Sequence, residues 1–163
     1  DSQMQIEHVE LVEALANNRW ADIKKLMDIG EAALPAVKYG MGHPDWRVRR
    51  GCAFVVDHVW DVDALERLTL LARDPKKKVR NMAVHALGCD RCKGGVNPID
   101  AVPHLAHAAL TDESVRVRRT GTLMLALQSP EKRIARILRK IAAKETDPKA
   151  LRHAKFGLAR YAS

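Results

Sequence analysis

The chain has 163 residues and a formal net charge of +8; hydrophobic residues make up 47% of it and aromatic residues only 4%. That length makes one domain able to bury a continuous core, and an apolar content of mostly Ala, Leu and Val suits closely packed helices. No apolar run reaches the roughly 18–20 residues needed to span a bilayer, and three cysteines do not make the disulfide framework of a small secreted domain, so a soluble, cytoplasmic protein is expected.

The amino terminus, Asp1-Ser2-Gln3, carries no basic-then-apolar signal region. It has no starting Met, and the expectation is a chain trimmed or cut from something longer. From there helical periodicity runs almost throughout, and no stretch alternates as a strand does. Ten helices are predicted, in five pairs of an A helix followed by a B helix. They cover 3–16 and 18–29, 31–41 and 45–59, 62–72 and 76–88, 99–110 and 114–128, and 131–145 and 148–161. The breaks fall at Asn17-Asn18, Gly42-His43-Pro44, Asp74-Pro75, Thr111-Asp112 and Thr146-Asp147-Pro148. There Asp, Ser and Thr can cap free backbone N–H groups, and Pro suits a first helical turn.

A hydrophobic residue followed by Arg recurs near the start of four B helices: Val48-Arg49, Val79-Arg80, Val117-Arg118 and Leu151-Arg152, spaced 31, 38 and 34 residues apart. Four residues after each Val come Cys52, Ala83 and Gly121, small enough for close helix contact. Eight residues after it come Val56, Leu87 and Leu125, which fill the space between layers. Ala154 and Leu158 take these parts one residue early in the last unit. Cys52 therefore reads as a small buried hydrophobe. A helical period of 30–40 residues is the signature of stacked helix pairs, and the units fall at 31–61, 62–98, 99–129 and 130–163 after a degenerate or capping pair at 1–30. The last helix ends Ala159-Arg160-Tyr161-Ala162-Ser163 with no polar cap, so further repeats or a partner are expected to cover it.

The pattern Asp-Pro-x-x-x-Val-Arg, complete in Asp74-Pro75-Lys76-Lys77-Lys78-Val79-Arg80, resembles the HEAT repeat family, and most closely the short bacterial type shared with phycobilisome lyases. The resemblance covers about residues 31–161. It implies an all-α, right-handed α-solenoid whose B helices line the concave face, and an Arg that pairs with an Asp at the turn to form a ladder. Asp74 with Arg80 and Asp112 with Arg118 match that pattern, whereas His43 stands where the unit of Arg49 would have its Asp. Fold alone says little about function.

On helical phase, residues two and six after each Val point into the concave face. Those columns read Arg50, Asn81 and Arg119, then Phe54, His85 and Leu123, with Asp57 and His58 one turn beyond Phe54. Apolar groups flanked by arginines suit a peptide groove, so the expected function is a non-catalytic scaffold for a protein or peptide partner, acidic ones included. The charge leaves nucleic acid as the alternative: residues 1–45 carry 4 Lys/Arg against 8 Asp/Glu, and residues 46–163 carry 24 against 12. Lys76-Lys77-Lys78 with Arg47 and Arg116 make a basic edge, and helix 131–145 presents Lys132, Arg133, Arg136, Arg139 and Lys140. No motif demands a cofactor. Cys89-Asp90-Arg91-Cys92 opens an insertion running to about Pro98; Cys89, Cys92 and His85, one turn earlier, are candidates for a metal, with His104 or His107 to complete the set. An oxidisable pair is the other reactive reading of the two thiols.

Enzymatic readings have less support. HEAT-like lysine hydroxylases hold di-iron with His-Glu dipeptides, and none of the 7 histidines here precedes Glu. HEAT-like alkylpurine DNA glycosylases use Trp, Asp and Arg, of which Trp60 near Asp57, Asp61 and Asp63, with Arg50, is a loose echo. Packing against the next unit is the plainer role for Trp60, as for Trp20 and Trp46. Nothing local supports a bilin lyase.

Overall fold

A computed structural model of the chain describes residues 4–162; Gln3, which the sequence assigns to the first helix, lies outside the described residues, as does Ser163. The helices are α1 (Ile6–Ala14), α2 (Trp20–Ile29), α3 (Leu34–Met41), α4 (Trp46–His58), α5 (Val62–Leu71), α6 (Lys77–Gly88), α7 (Val102–Thr111), α8 (Val115–Leu127), α9 (Lys132–Lys144) and α10 (Pro148–Ala159). Short 3-10 turns follow α1, precede α3 and occupy Arg91–Lys93. The five predicted pairs are all present. Where an end differs, the chain tightens into a 3-10 turn, at Leu15–Asn17 and Gly30–Ala33, or starts later, as α7 does behind Pro98.

Aspartates open several helices as expected. Asp45, Asp61 and Asp147 accept hydrogen bonds from the N–H groups of Arg47, Ala64 and Ala150, satisfying donors that have no partner in the helix. The B helices α2, α4, α6, α8 and α10 pack one on the next to form an inner layer, and A helices pack α1 on α3, α3 on α5 and α7 on α9. This two-layer stack is an α-solenoid.

The small-residue column explains how closely the layers approach. Cys52, Ala83 and Ala154 are fully buried, as are Val56, Leu87 and Leu125. Gly121 faces the backbone of α7, where a Cβ would stand 2.9 Å from the Ala109 nitrogen and 3.0 Å from the Leu105 carbonyl oxygen. Trp46 and Trp60 pack against this core. Trp20 does not: its side chain is on the surface, 55% exposed, edge-on to Phe54 at 5.0 Å.

The arginine ladder exists, but its rungs run between units rather than within them. Arg49 donates to both carboxylate oxygens of Asp74 at 2.7 and 3.0 Å, Arg80 to those of Asp112 at 2.9 and 3.0 Å, and Arg118 to those of Glu145 at 2.9 and 3.4 Å. Each guanidinium also donates to two carbonyls of its own turn: His43 and Pro44, Asp74 and Pro75, Asp112 and Glu113. The expected pairing of Asp74 with Arg80 and Asp112 with Arg118 is thus corrected; within a unit Arg meets main chain, and the carboxylate comes from the following unit. For the same reason Arg49 has a complete rung although His43 replaces an Asp. His43 instead lies 2.8 Å from Glu13. Each acceptor braces its own turn as well, since Asp74 takes the N–H of Lys76, Asp112 that of Ser114, and Glu145 those of Thr146 and Asp147.

Candidate functional site

The B-helix face has two parts. Towards the start of the helices, Arg50 is flanked by a depression of about 270 Å³ lined by Leu15, Trp20, Ile23 and Phe54. On its other side lies one of about 440 Å³ lined by Lys77, Lys78, Asn81, Ser114, Val115 and Arg116. Among the described residues, no carboxylate oxygen lies within 4.0 Å of the charged nitrogens of Arg50, Lys77, Lys78 or Arg116; Arg50 makes one long hydrogen bond, 3.4 Å to Asn18 Oδ1. Lys76 and Lys78 sit over the Trp46 ring at 4.8 and 5.4 Å, a contact that disperses their charge without cancelling it.

Arg119 lies in the predicted column but is already engaged, donating to both carboxylate oxygens of Asp147 at 2.8 Å. Asn81 accepts from the Thr120 hydroxyl at 2.6 Å. Phe54 and Leu123 are half-buried, and His58 is exposed, its ring 5.8 Å from that of Phe54. Asp57 departs most from expectation: it is 1% exposed, covered by Lys93 of the inserted segment.

Around Asp57 lies a second constellation. His85 Nε2 is 3.3 Å from Asp57 Oδ2 and Lys93 Nζ is 3.4 Å from Oδ1. Lys93 also donates to the Ala86 carbonyl, and to that of Cys89 at 3.0 Å. Cys89 and Cys92 are free thiols with sulfurs 2.7 Å apart, and the Cys92 N–H points at Cys89 Sγ at 3.4 Å. Burial, then hydrogen bonds to Cys89 and Asp57, push the Cys92 thiol up to about 12. Donor atoms of Asp57, His85, Cys89 and Cys92 all lie within 4.8 Å of one another. The fourth member is thus Asp57 of the preceding repeat, not His104 or His107. Lys93 carried no sequence signal, since a lysine beside two glycines reads as solvated loop.

At the far end, hydrogen bonds from Arg119 and from the Ala150 N–H hold Asp147 well below the usual carboxylate range. Burial works to raise Glu145, yet Arg118 and the N–H groups of Asp147 and Thr146 leave it lowered. Folded-state values below the unfolded ones mean that these groups stabilise fully above the ordinary unfolded range, about pH 4–4.5. That stability is lost as pH falls towards the folded values. The melting temperature is therefore expected to hold down to about pH 5 and then drop, with a shallower drop for Asp147→Asn. Thermal melts across that range decide it; identical profiles for both proteins would refute the assignment.

Helix pairs stacked through an inner layer and latched by a repeating arginine define an α-solenoid repeat protein. A family model described as HEAT repeats matches residues 34–126, more than half of the chain, and the chain belongs to that family. Proteins built from these repeats commonly serve as protein-interaction scaffolds. A search of curated proteins finds no match to the chain. None of the described helices is long and apolar enough to cross a membrane.

Proposed function

We propose that the protein is a non-catalytic interaction scaffold whose B-helix face binds an acidic segment of a partner protein, with an apolar side chain of that segment seated beside Trp20 and Phe54. One observation carries this reading: Arg50 is the common wall of an apolar depression and a basic one. Cations at the start of α6 oppose the helix dipole, and among the described residues no carboxylate forms an ion pair with them. That arrangement raises the energy of the free protein and lowers it when an anion arrives. Five other arginines of the B helices, Arg47, Arg49, Arg80, Arg118 and Arg119, each have a carboxylate partner. Arg50, Lys77, Lys78 and Arg116, for which no such partner occurs among the described residues, border one depression, whereas Arg152 of α10 also has none and lies elsewhere.

A nucleic acid would draw on phosphate contacts spread over a broad basic track. Here the basic helix α9 belongs to the A layer, and its Arg133 is bound to Asp100 and Glu131. This geometry favours a short acidic segment.

The test is fluorescence anisotropy of a labelled Glu/Asp-rich peptide containing one Trp or Leu, beside single-stranded DNA of equal charge, each at two salt concentrations. Arg50→Glu and Lys78→Glu are expected to weaken peptide binding by about tenfold or more each, and Lys132→Glu to leave it unchanged. Equal affinity for wild type and Arg50→Glu would reject the site. Tighter binding of DNA, with a steep salt slope lost on changing α9, would assign the surface to nucleic acid.

A further inference from the structure

We propose that Asp57, His85, Cys89 and Cys92 bind a zinc ion that fastens the inserted segment to two neighbouring repeats. Each ligand is placed by a different local device. Asp57 lies in the last turn of α4, His85 in the last turn of α6, and Cys89 just after that helix, one turn from His85. Cys92 follows in the 3-10 turn Arg91–Lys93. Gly94 and Gly95, at φ +75° and +87°, let the chain reverse immediately after that turn, and Asn97 pins the returning strand of loop to the Leu87 carbonyl at 2.8 Å and to Asp90 at 3.2 Å.

The chemistry of the donors selects the metal. Two thiolates and an imidazole with one carboxylate suit a tetrahedral, borderline-soft dication and do not suit magnesium or calcium. Zinc–sulfur bonds of about 2.3 Å set a tetrahedral S···S edge of about 3.8 Å. The two sulfurs, 2.7 Å apart, would part by about 1 Å, a side-chain rotation at Cys92. Four protein ligands make the closed set of a structural site rather than a catalytic one.

Lys93 strengthens the assignment through charge balance. Its side chain is wholly buried, held by the Ala86 and Cys89 carbonyls and by Asp57. With both thiols protonated, Lys93 and Asp57 cancel. When zinc enters, two thiol protons leave to solvent, and the dication with Lys93 balances two thiolates and one carboxylate. The buried corner is neutral in both states, which avoids the cost of an uncompensated interior charge. Lys93 on Oδ1 also aims the other carboxylate oxygen, Oδ2, towards His85 and the sulfurs, the role that outer partners commonly play for metal ligands. The Cys92 N–H directed at Cys89 Sγ does the same for a thiolate.

Cobalt is the probe. The reduced full chain, freed of metal by chelation, is titrated with Co²⁺ and followed by absorption. The expected result is one equivalent bound, with intense visible bands of tetrahedral cobalt and a near-ultraviolet thiolate-to-cobalt band, both discharged by zinc. Cys89→Ser and Cys92→Ser each weaken the thiolate band, and Cys52→Ala leaves it intact. Lys93→Met lowers cobalt affinity by about 10- to 100-fold. Zinc at about a hundredfold excess over Kd raises the melting temperature of the wild type by about 5–10 °C, and not that of the Cys89→Ser/Cys92→Ser double variant. Because Asp57→Asn leaves Lys93 unpaired in the interior and risks unfolding, the wild-type spectrum decides first. A weak octahedral spectrum without the thiolate band overturns the proposal. So does a Cys89–Cys92 disulfide that re-forms in the presence of equimolar zinc, which would make the thiols a redox pair.

Discussion

Arg80→Ala is expected to destabilise the fold by about 3 kcal/mol, the scale of removing one partner from a buried ion pair. The Arg80 guanidinium is 11% exposed and its acceptor Asp112 8%, so neither charge can turn to water when the other is lost. The substitution also strips the carbonyls of Asp74 and Pro75 of a donor. In a chain of this size the melting temperature falls by about 6–12 °C. Asp112→Ala has a comparable effect, because it leaves the arginine unpaired in the same place. Arg80→Lys does not restore the loss: an ammonium cannot address two carboxylate oxygens and two carbonyls with one planar fork. The control is Arg152→Ala in the same position of the last B helix, where the side chain is exposed and the change is within about 0.5 kcal/mol. Chemical denaturation of these four variants measures the ladder directly. Equal losses for Arg80→Ala and Arg152→Ala would show that the rungs contribute nothing.

Gly121→Ala is the second large effect, a net loss of about 2 kcal/mol. On propensity alone the change should gain up to about 1 kcal/mol, since Gly is the poorer helix former. Overpacking reverses the sign and costs about 3 kcal/mol. The atoms in the way are the main-chain nitrogen of Ala109 and carbonyl oxygen of Leu105, and neither can yield without moving the whole of α7. Gly42→Ala makes the contrast, because the nearest atom to its added methyl is 3.8 Å away, in ordinary contact. Melting temperatures about 4–8 °C below wild type for Gly121→Ala, and near wild type for Gly42→Ala, are expected. A neutral Gly121→Ala would mean that the layers can slide apart.

Much of this architecture was legible because helices that stack must repeat their buried faces. Val48, Val79 and Val117 with the small and large residues four and eight positions later carry a period that any one unit would hide. The ladder was legible as to donors and misread as to acceptors. Arg49, Arg80 and Arg118 meet carboxylates 25, 32 and 27 residues ahead, distances set by how units stack, which local spacing does not encode. For the candidate site, helical phase put Arg50 and Phe54 on one face, and both line the smaller depression. It failed at Asp57, because phase says which way a side chain points and not what folds over it. The inserted segment supplies Lys93 from 36 residues away and turns a surface aspartate into an interior one. Arg119 was misjudged for a related reason: its partner Asp147 caps a helix that begins one unit later.

The forward reach of the ladder makes plugs and sockets of the repeats. A unit offers an arginine to its successor and a carboxylate to its predecessor, so on this edge any two units with both groups are interchangeable. The opposite edge is not standardised: Lys38 binds Asp61 and Asp63, Gln128 reaches the Gly88 carbonyl, and Arg160 the carbonyls of Ala126 and Gln128. An engineered duplicate of residues 62–98 would mate on the common edge and be refused by the particular one. Order along the stack is thus written in the unlike contacts, and lengthening the protein by copying a module requires rewriting only those.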